Sequence, residues 1–114
     1  MDFSLIDSQT KEAVLAFKDK VVQKYPVTKA LLFGSRARSS HHNQSDADVA
    51  IILLGKKGKF LDTKLEMADL AVEVLLDKGI LIQPLPLWES DWSHPEGFSN
   101  PYLILNIQKE GVPF

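Results

Sequence analysis

The chain has 114 residues, a formal net charge of −2 and no cysteine. That length suits a single domain over residues 1–114 with one real core. The slightly acidic balance does not indicate a nucleic-acid binder, and the absence of cysteine excludes disulfides and thiolate metal sites. No stretch of about 18 apolar residues is present to cross a membrane. The start, MDFSLIDSQT, lacks the basic segment and apolar core of a secretion signal, so the expected location is cytoplasmic.

From Ser8 to Tyr25 the apolar residues Val14, Phe17, Val21, Val22 and Tyr25 recur at helical spacing. Asp7 or Ser8 suits the cap. Pro26 ends this helix, because the residue before a proline avoids the helical region. VTKALLF, at 27–33, is β-branched and apolar, and reads as a strand stopped by Gly34. SRARSS starts one helical turn and SHHNQS is loop. DADVAIILL, at 46–54, is the clearest strand: Asp46, Asp48, Ala50 and Ile52 point to one face, and Ala47, Val49 and Ile51 to the other. GKKGK is a turn. FLDTKLEMADLAVEVLLD, at 60–77, is a helix in which Leu61, Leu65, Ala68, Val72 and Leu75 form one apolar stripe of the kind that faces a core. Glu73 and Asp77 belong to its wet face, and Gly79 to its stop. ILIQPLPLW, at 80–88, reads as a third strand. Pro84 and Pro86 remove the N–H donors from one side of it, which places it at a sheet edge. ESDWSHPEGF is loop. Asn100 caps a final helix, with Pro101 at its first position and Gly111 past its end. The order α-β-β-α-β-α gives an α/β (α+β) domain.

The segment FGSRARSSHHNQSDADVAII, at 33–52, concentrates the chemistry. A strand that carries Asp46 and Asp48 on one face sets their Cα atoms about 6–7 Å apart. Both stay ionised in a half-buried site only beside a counter-charge. A hard divalent cation supplies that charge, and Mg²⁺ is commonly held by one or two carboxylates plus substrate phosphates. The plain alternative is an Asp-x-Asp satisfied by water or backbone. Upstream, Gly34 lets the backbone approach a ligand closely. Ser35 adds a hydroxyl and an N–H at the start of a turn, and Arg36 and Arg38 suit phosphate oxygens. Taken singly these are an ordinary turn and solvated arginines. Together they form a phosphate cradle and a metal cradle joined by a loop, which suits a nucleoside triphosphate with its metal.

GSRARS followed by SDADVAII resembles the minimal nucleotidyltransferase (MNT) domains of the DNA polymerase β superfamily, whose pattern is Gly-Ser, a small or basic stretch, a loop and then D-x-D on a strand. The resemblance covers nearly the whole chain. It implies a small mixed β-sheet packed by helices, with Gly34 and Ser35 holding the triphosphate. It implies Asp46 and Asp48 as the catalytic, metal-binding residues for Mg²⁺ (or Mn²⁺). The reaction implied is in-line transfer of a nucleoside monophosphate (NMP) from an NTP, with ATP the expected donor, to a hydroxyl.

Two positions depart from that pattern. Ser39 stands where many members have glycine. The family's third carboxylate, on the strand after the long helix, has no Asp or Glu counterpart in ILIQPLPLW. Gln83 is the expected occupant, and an amide ligates through its carbonyl but takes no proton. Glu89 and Asp91 follow as solvated loop charges. His41, His42 and His94 read as solvated, the KKGK at 56–59 as an exposed basic tip, and Trp88 and Trp92 as packing or partner contacts.

Two functions from different classes follow. One is a metal-dependent nucleotidyltransferase. The other is a catalytically weak or inactive module of the same fold that acts mainly through a partner protein. The resemblance also implies the partner, since MNT proteins often pair with small helical HEPN proteins in toxin–antitoxin modules and serve there as the antitoxin. The intact Gly-Ser and Asp-x-Asp favour the enzyme, and the missing third carboxylate favours the binding module. The acceptor and a homo- or hetero-oligomeric state stay open.

Overall fold

A computed structural model describes residues 2–38, 40–42 and 45–114. Ser39, the departure from the expected glycine, lies outside the described residues. Helix α1 (Ser8–Val22) starts at Asp7, whose carboxylate accepts from the backbone N–H of Thr10 at 3.0 Å. It ends three residues before the expected Tyr25. There the N–H groups of Lys24 and Tyr25 both turn back onto the carbonyl of Val21, closing the helix just ahead of Pro26.

Strand β1 (Val27–Phe33) pairs antiparallel with β2 (Ala47–Leu53). Helix α2 (Phe60–Lys78) then crosses over and returns the chain as β3 (Ile82–Trp88), parallel to β2. Gly79, with φ 78°, stops α2 in the left-handed conformation that glycine takes without strain. The short α3 (Glu89–Ser93) and a 3₁₀ turn (Pro95–Gly97) lead to α4 (Pro101–Glu110). Asn100 caps α4 as expected, accepting from the N–H of Leu103. The chain finishes in β4 (Val112–Pro113), antiparallel to β1 at Leu31 and Leu32. The four-stranded mixed sheet runs β3-β2-β1-β4, and the proline-bearing β3 is the edge strand that its sequence predicts.

The sheet is covered on both faces. The larger core lies under α1 and α2, where Phe17, Val21, Met67 and Val74 meet Leu32, Val49, Ile51 and Ile82. The smaller lies under α4, where Ile104 and Ile107 meet Leu31, Ala50, Ile52 and Leu87. Strand alternation divides β2 cleanly between the two.

Three expectations need correction. The stripe Leu61, Leu65, Ala68, Val72 and Leu75 does not face the core: Thr63, Met67, Leu70, Ala71 and Val74 are the buried residues of α2. The helix carries apolar residues on two opposite faces, and spacing alone does not choose between them. The ESDWSHPEGF segment holds helical turns because Asp91 folds back. It is 5% exposed, accepts from the N–H of Trp88 at 3.0 Å and pairs with Lys57 at 2.8 Å, so it is not a solvated loop charge. Finally, β4 is too short to announce itself by alternation and exists through its pairing with β1.

Candidate active site

Phe33, Asp48 and Gln83 lie side by side across β1, β2 and β3. Asp48 shares its parity with Ala50 and Ile52, and Gln83 shares its parity with Leu85 and Leu87, all four being residues of the α4-side core. The aspartates and Gln83 thus face the α4 side, away from α1 and α2. Gln83 Nε2 donates to Asp46 Oδ2 at 3.1 Å, so the expected occupant of the third-carboxylate position does meet the pair.

Immediately after β1 the chain turns at Gly34, with φ 76°. A Cβ at this position would collide with the Asp48 carboxylate. Glycine is required for the backbone angle, and its bare Cα leaves room for the close approach of the acid. Residues 35–38 form the expected single turn, with Arg38 N donating to the carbonyl of Gly34 at 3.2 Å. Burial, and then the charge of Asp46, push the Asp48 carboxyl above its ordinary value, while the exposed Arg38 pulls it the other way. The aspartate pair is short of positive charge. Its donors fit a hard divalent cation that draws its other oxygens from substrate and water. Among the described residues no three acidic or histidine groups converge to enclose a metal by themselves.

Arg36 differs from its expected place on phosphate. It is 2% exposed and its donors are spent on protein oxygens: Nε on Ser45 O at 2.9 Å, a terminal nitrogen on Thr10 Oγ1 at 2.8 Å, and the other on His42 O at 3.5 Å. The Thr10 hydroxyl donates in turn to Asp7 at 2.8 Å, and His41 Nε2 sits 3.3 Å from the same carboxylate. Burial pushes Asp7 up, but the two Thr10 donors and the charges of His41 and Arg36 leave it below its ordinary value. This network staples the loop before Asp46 to the start of α1. His41 is part of it, not a solvated side chain, and its Nδ1 is buried without a hydrogen-bond partner among the described residues. Arg36→Ala should lower stability by about 2–4 kcal/mol, since it strips charged donors from three buried or half-buried acceptors. Urea unfolding measures this; a change within about 0.5 kcal/mol, the usual surface value, would show that the loop stands without the staple.

Other expectations fall into place around the centre. His94 is exposed beside Glu96, and the 56–59 tip is exposed. Trp88 is buried in the larger core, and Trp92 is half-buried with Lys29 over its ring. The sequence reading missed a cleft of about 180 Å³ beside Gly34, walled by Phe33, Ala37 and Arg38 on one side and by Leu103, Asn106, Ile107 and Glu110 of α4 on the other. The i, i+4 spacing of Asn106 and Glu110 next to the buried Ile107 is the one signal in the sequence for it.

Residues 17–112 match the family described as Polymerase beta, Nucleotidyltransferase. No curated protein matches the chain. Among solved structures, the crystal structure of a proposed nucleotidyltransferase from Sulfolobus solfataricus is similar with a TM-score of 0.52 and 18% identity, covering 95% of this chain and 87% of that one. At that identity the likeness speaks for the fold alone. The family match runs from the second half of α1 to β4 and takes in Gly34, Asp46, Asp48 and Gln83. The chain belongs to the polymerase β-type nucleotidyltransferase family.

Proposed function

We propose that the protein transfers an NMP from an NTP, ATP being the expected donor, to a hydroxyl acceptor, with Mg²⁺ or Mn²⁺ held by Asp46 and Asp48. The observation that carries this reading is the close approach of Gly34 and Asp48: a left-handed glycine turn is set against a half-buried carboxylate that already has a like charge beside it. In this reading the Gly34–Ser35 backbone and the exposed Arg38 hold the triphosphate, and the cleft against α4 borders the same turn. The bound cation supplies charge to the phosphate oxygens. The acceptor oxygen forms a bond to the α-phosphorus, the bond from that phosphorus to the bridging oxygen breaks, and pyrophosphate leaves. The hydroxyl proton passes to solvent water, because the amide of Gln83 does not take it up.

That last point favours a second reading, in which the same site binds nucleotide and turns over slowly or not at all, and the protein acts mainly through a partner. A HEPN-type helical protein, with this chain as its antitoxin, is the partner proposed. The test is to titrate ATP and GTP with and without Mg²⁺, using the wild type and the Asp46→Asn/Asp48→Asn variant. Metal-dependent binding in the wild type alone supports the site, and equal affinity in every arm removes it. Incubation with each α-labelled NTP, metal and the candidate partner then separates the readings: label moved to a hydroxyl supports the enzyme, and binding without transfer supports the module.

A further inference from the structure

Beyond its sheet-facing row, α2 carries a second apolar row. Leu61, Leu65, Val72 and Leu76 are 64%, 57%, 49% and 83% exposed. On a helix of about 3.6 residues per turn these positions fall within roughly 60° of one another, on the side away from the sheet. Such a row, largely open to solvent along the length of a helix, contributes little to the core of this domain, and contiguous exposed apolar surface on soluble proteins marks interaction sites. A row of carboxylates lies beside it: Asp62, Glu66, Glu73 and Asp77 each follow a residue of the apolar row, and Asp69 falls on the same flank. Among the described residues only part of this row is answered. Tyr25 donates to Glu66 at 2.6 Å, Lys20 pairs with Glu73 at 3.5 Å, and Lys78 lies 3.8 Å from Asp77.

We propose that this outward face of α2 docks a different protein through a helix whose apolar stripe is edged with Lys or Arg. The charge row decides against a second copy. In an antiparallel two-fold pairing through the stripe, each acidic row lies beside its own image, and like charges held together oppose association. In a parallel two-fold pairing, each row of five meets only Lys64 and Lys78 on its partner's other flank. An anionic membrane surface is disfavoured for the same reason, since helices that lie on one carry basic polar faces. A basic edge on another chain neutralises the row and lets the leucines be buried. The docking face lies on the sheet side opposite Asp46 and Asp48, so the inference stands apart from the proposed transferase reading.

The probes are two helical peptides of about 20 residues with the same leucine stripe, one edged with lysine and one with glutamate. Fluorescence anisotropy should show the lysine-edged peptide binding at least about tenfold more tightly, and Leu65→Asp/Leu76→Asp should weaken it by about tenfold or more. That variant adds negative charge, so lost binding reports the apolar stripe and not general attraction. Both positions are exposed, so its melting temperature should not fall. Equal binding of the two peptides, binding untouched by the double substitution, or binding of neither peptide overturns the proposal. So does a homodimer in light scattering that the double substitution dissociates, which assigns the face to a second copy.

Discussion

Asp48→Asn should slow metal-dependent transfer by about three orders of magnitude and at the same time give a more stable protein in metal-free buffer at neutral pH. The two effects share a cause. Burial and Asp46 raise the Asp48 carboxyl, so the folded state holds that proton more tightly than the unfolded state does. Where the folded state binds more protons, stability falls as pH rises. The Asp48 contribution is therefore most favourable below the ordinary aspartate range and is lost as pH climbs through the raised value. Asparagine has no such loss. Urea unfolding in EDTA should show the variant's advantage near pH 7 and its disappearance near about pH 3, below the ordinary aspartate value. Removing one of two carboxylates that hold a cation should cost about three orders of magnitude in transfer, equivalent to ~4 kcal/mol of barrier. A variant that transfers at the wild-type rate would take Asp48 out of the site. One that is less stable at neutral pH would show that the carboxylate does something for the fold beyond repelling Asp46.

The second large effect is a gain. Gln83→Glu or Gln83→Asp should raise transfer by about 10²–10⁴, the usual range for a positioned base. Gln83 lies in register with Asp48, and its amide already touches Asp46, so a carboxylate there joins the pair without moving the backbone. Without metal the change should lower stability, because a third negative charge enters the cluster. With metal that penalty should shrink. Single-turnover transfer from labelled NTP reads the gain, and Gln83→Ala is the control, since it removes the bond to Asp46 and adds no base. Fast transfer by the wild type that persists in Gln83→Ala would show that the reaction needs no group at this position.

The site's outline was legible in the sequence because it obeys local rules. Strand alternation alone put Asp46 and Asp48 on one face, and the same parity put Gln83 opposite the two prolines. The structure adds that this is the face turned to α4. Arg36 was illegible for the opposite reason. Next to Gly-Ser it looks like a phosphate ligand, and only its acceptors, Thr10 far upstream and Ser45 at the end of the loop, show that it is spent on the fold. The inverted face of α2 marks a different limit. Two apolar rows of equal spacing give two equally good helices, and the choice between them is made by the sheet. The two-residue β4 has too few residues for any period to appear.

The pairing of β1 with β4 sets the order in which this protein can fold during synthesis. Leu32, near the first third of the chain, pairs with Val112, which is fully buried in the larger core. Between them come the β1–β2 hairpin and the β2-α2-β3 crossover, whose contacts are closer in sequence and cheaper to close. A ribosome-bound chain can thus build three strands while still presenting an open β1 edge at Leu31 and Leu32. That edge stays available to other chains until Val112 and Pro113 emerge, and the seal, when it comes, is two residues long.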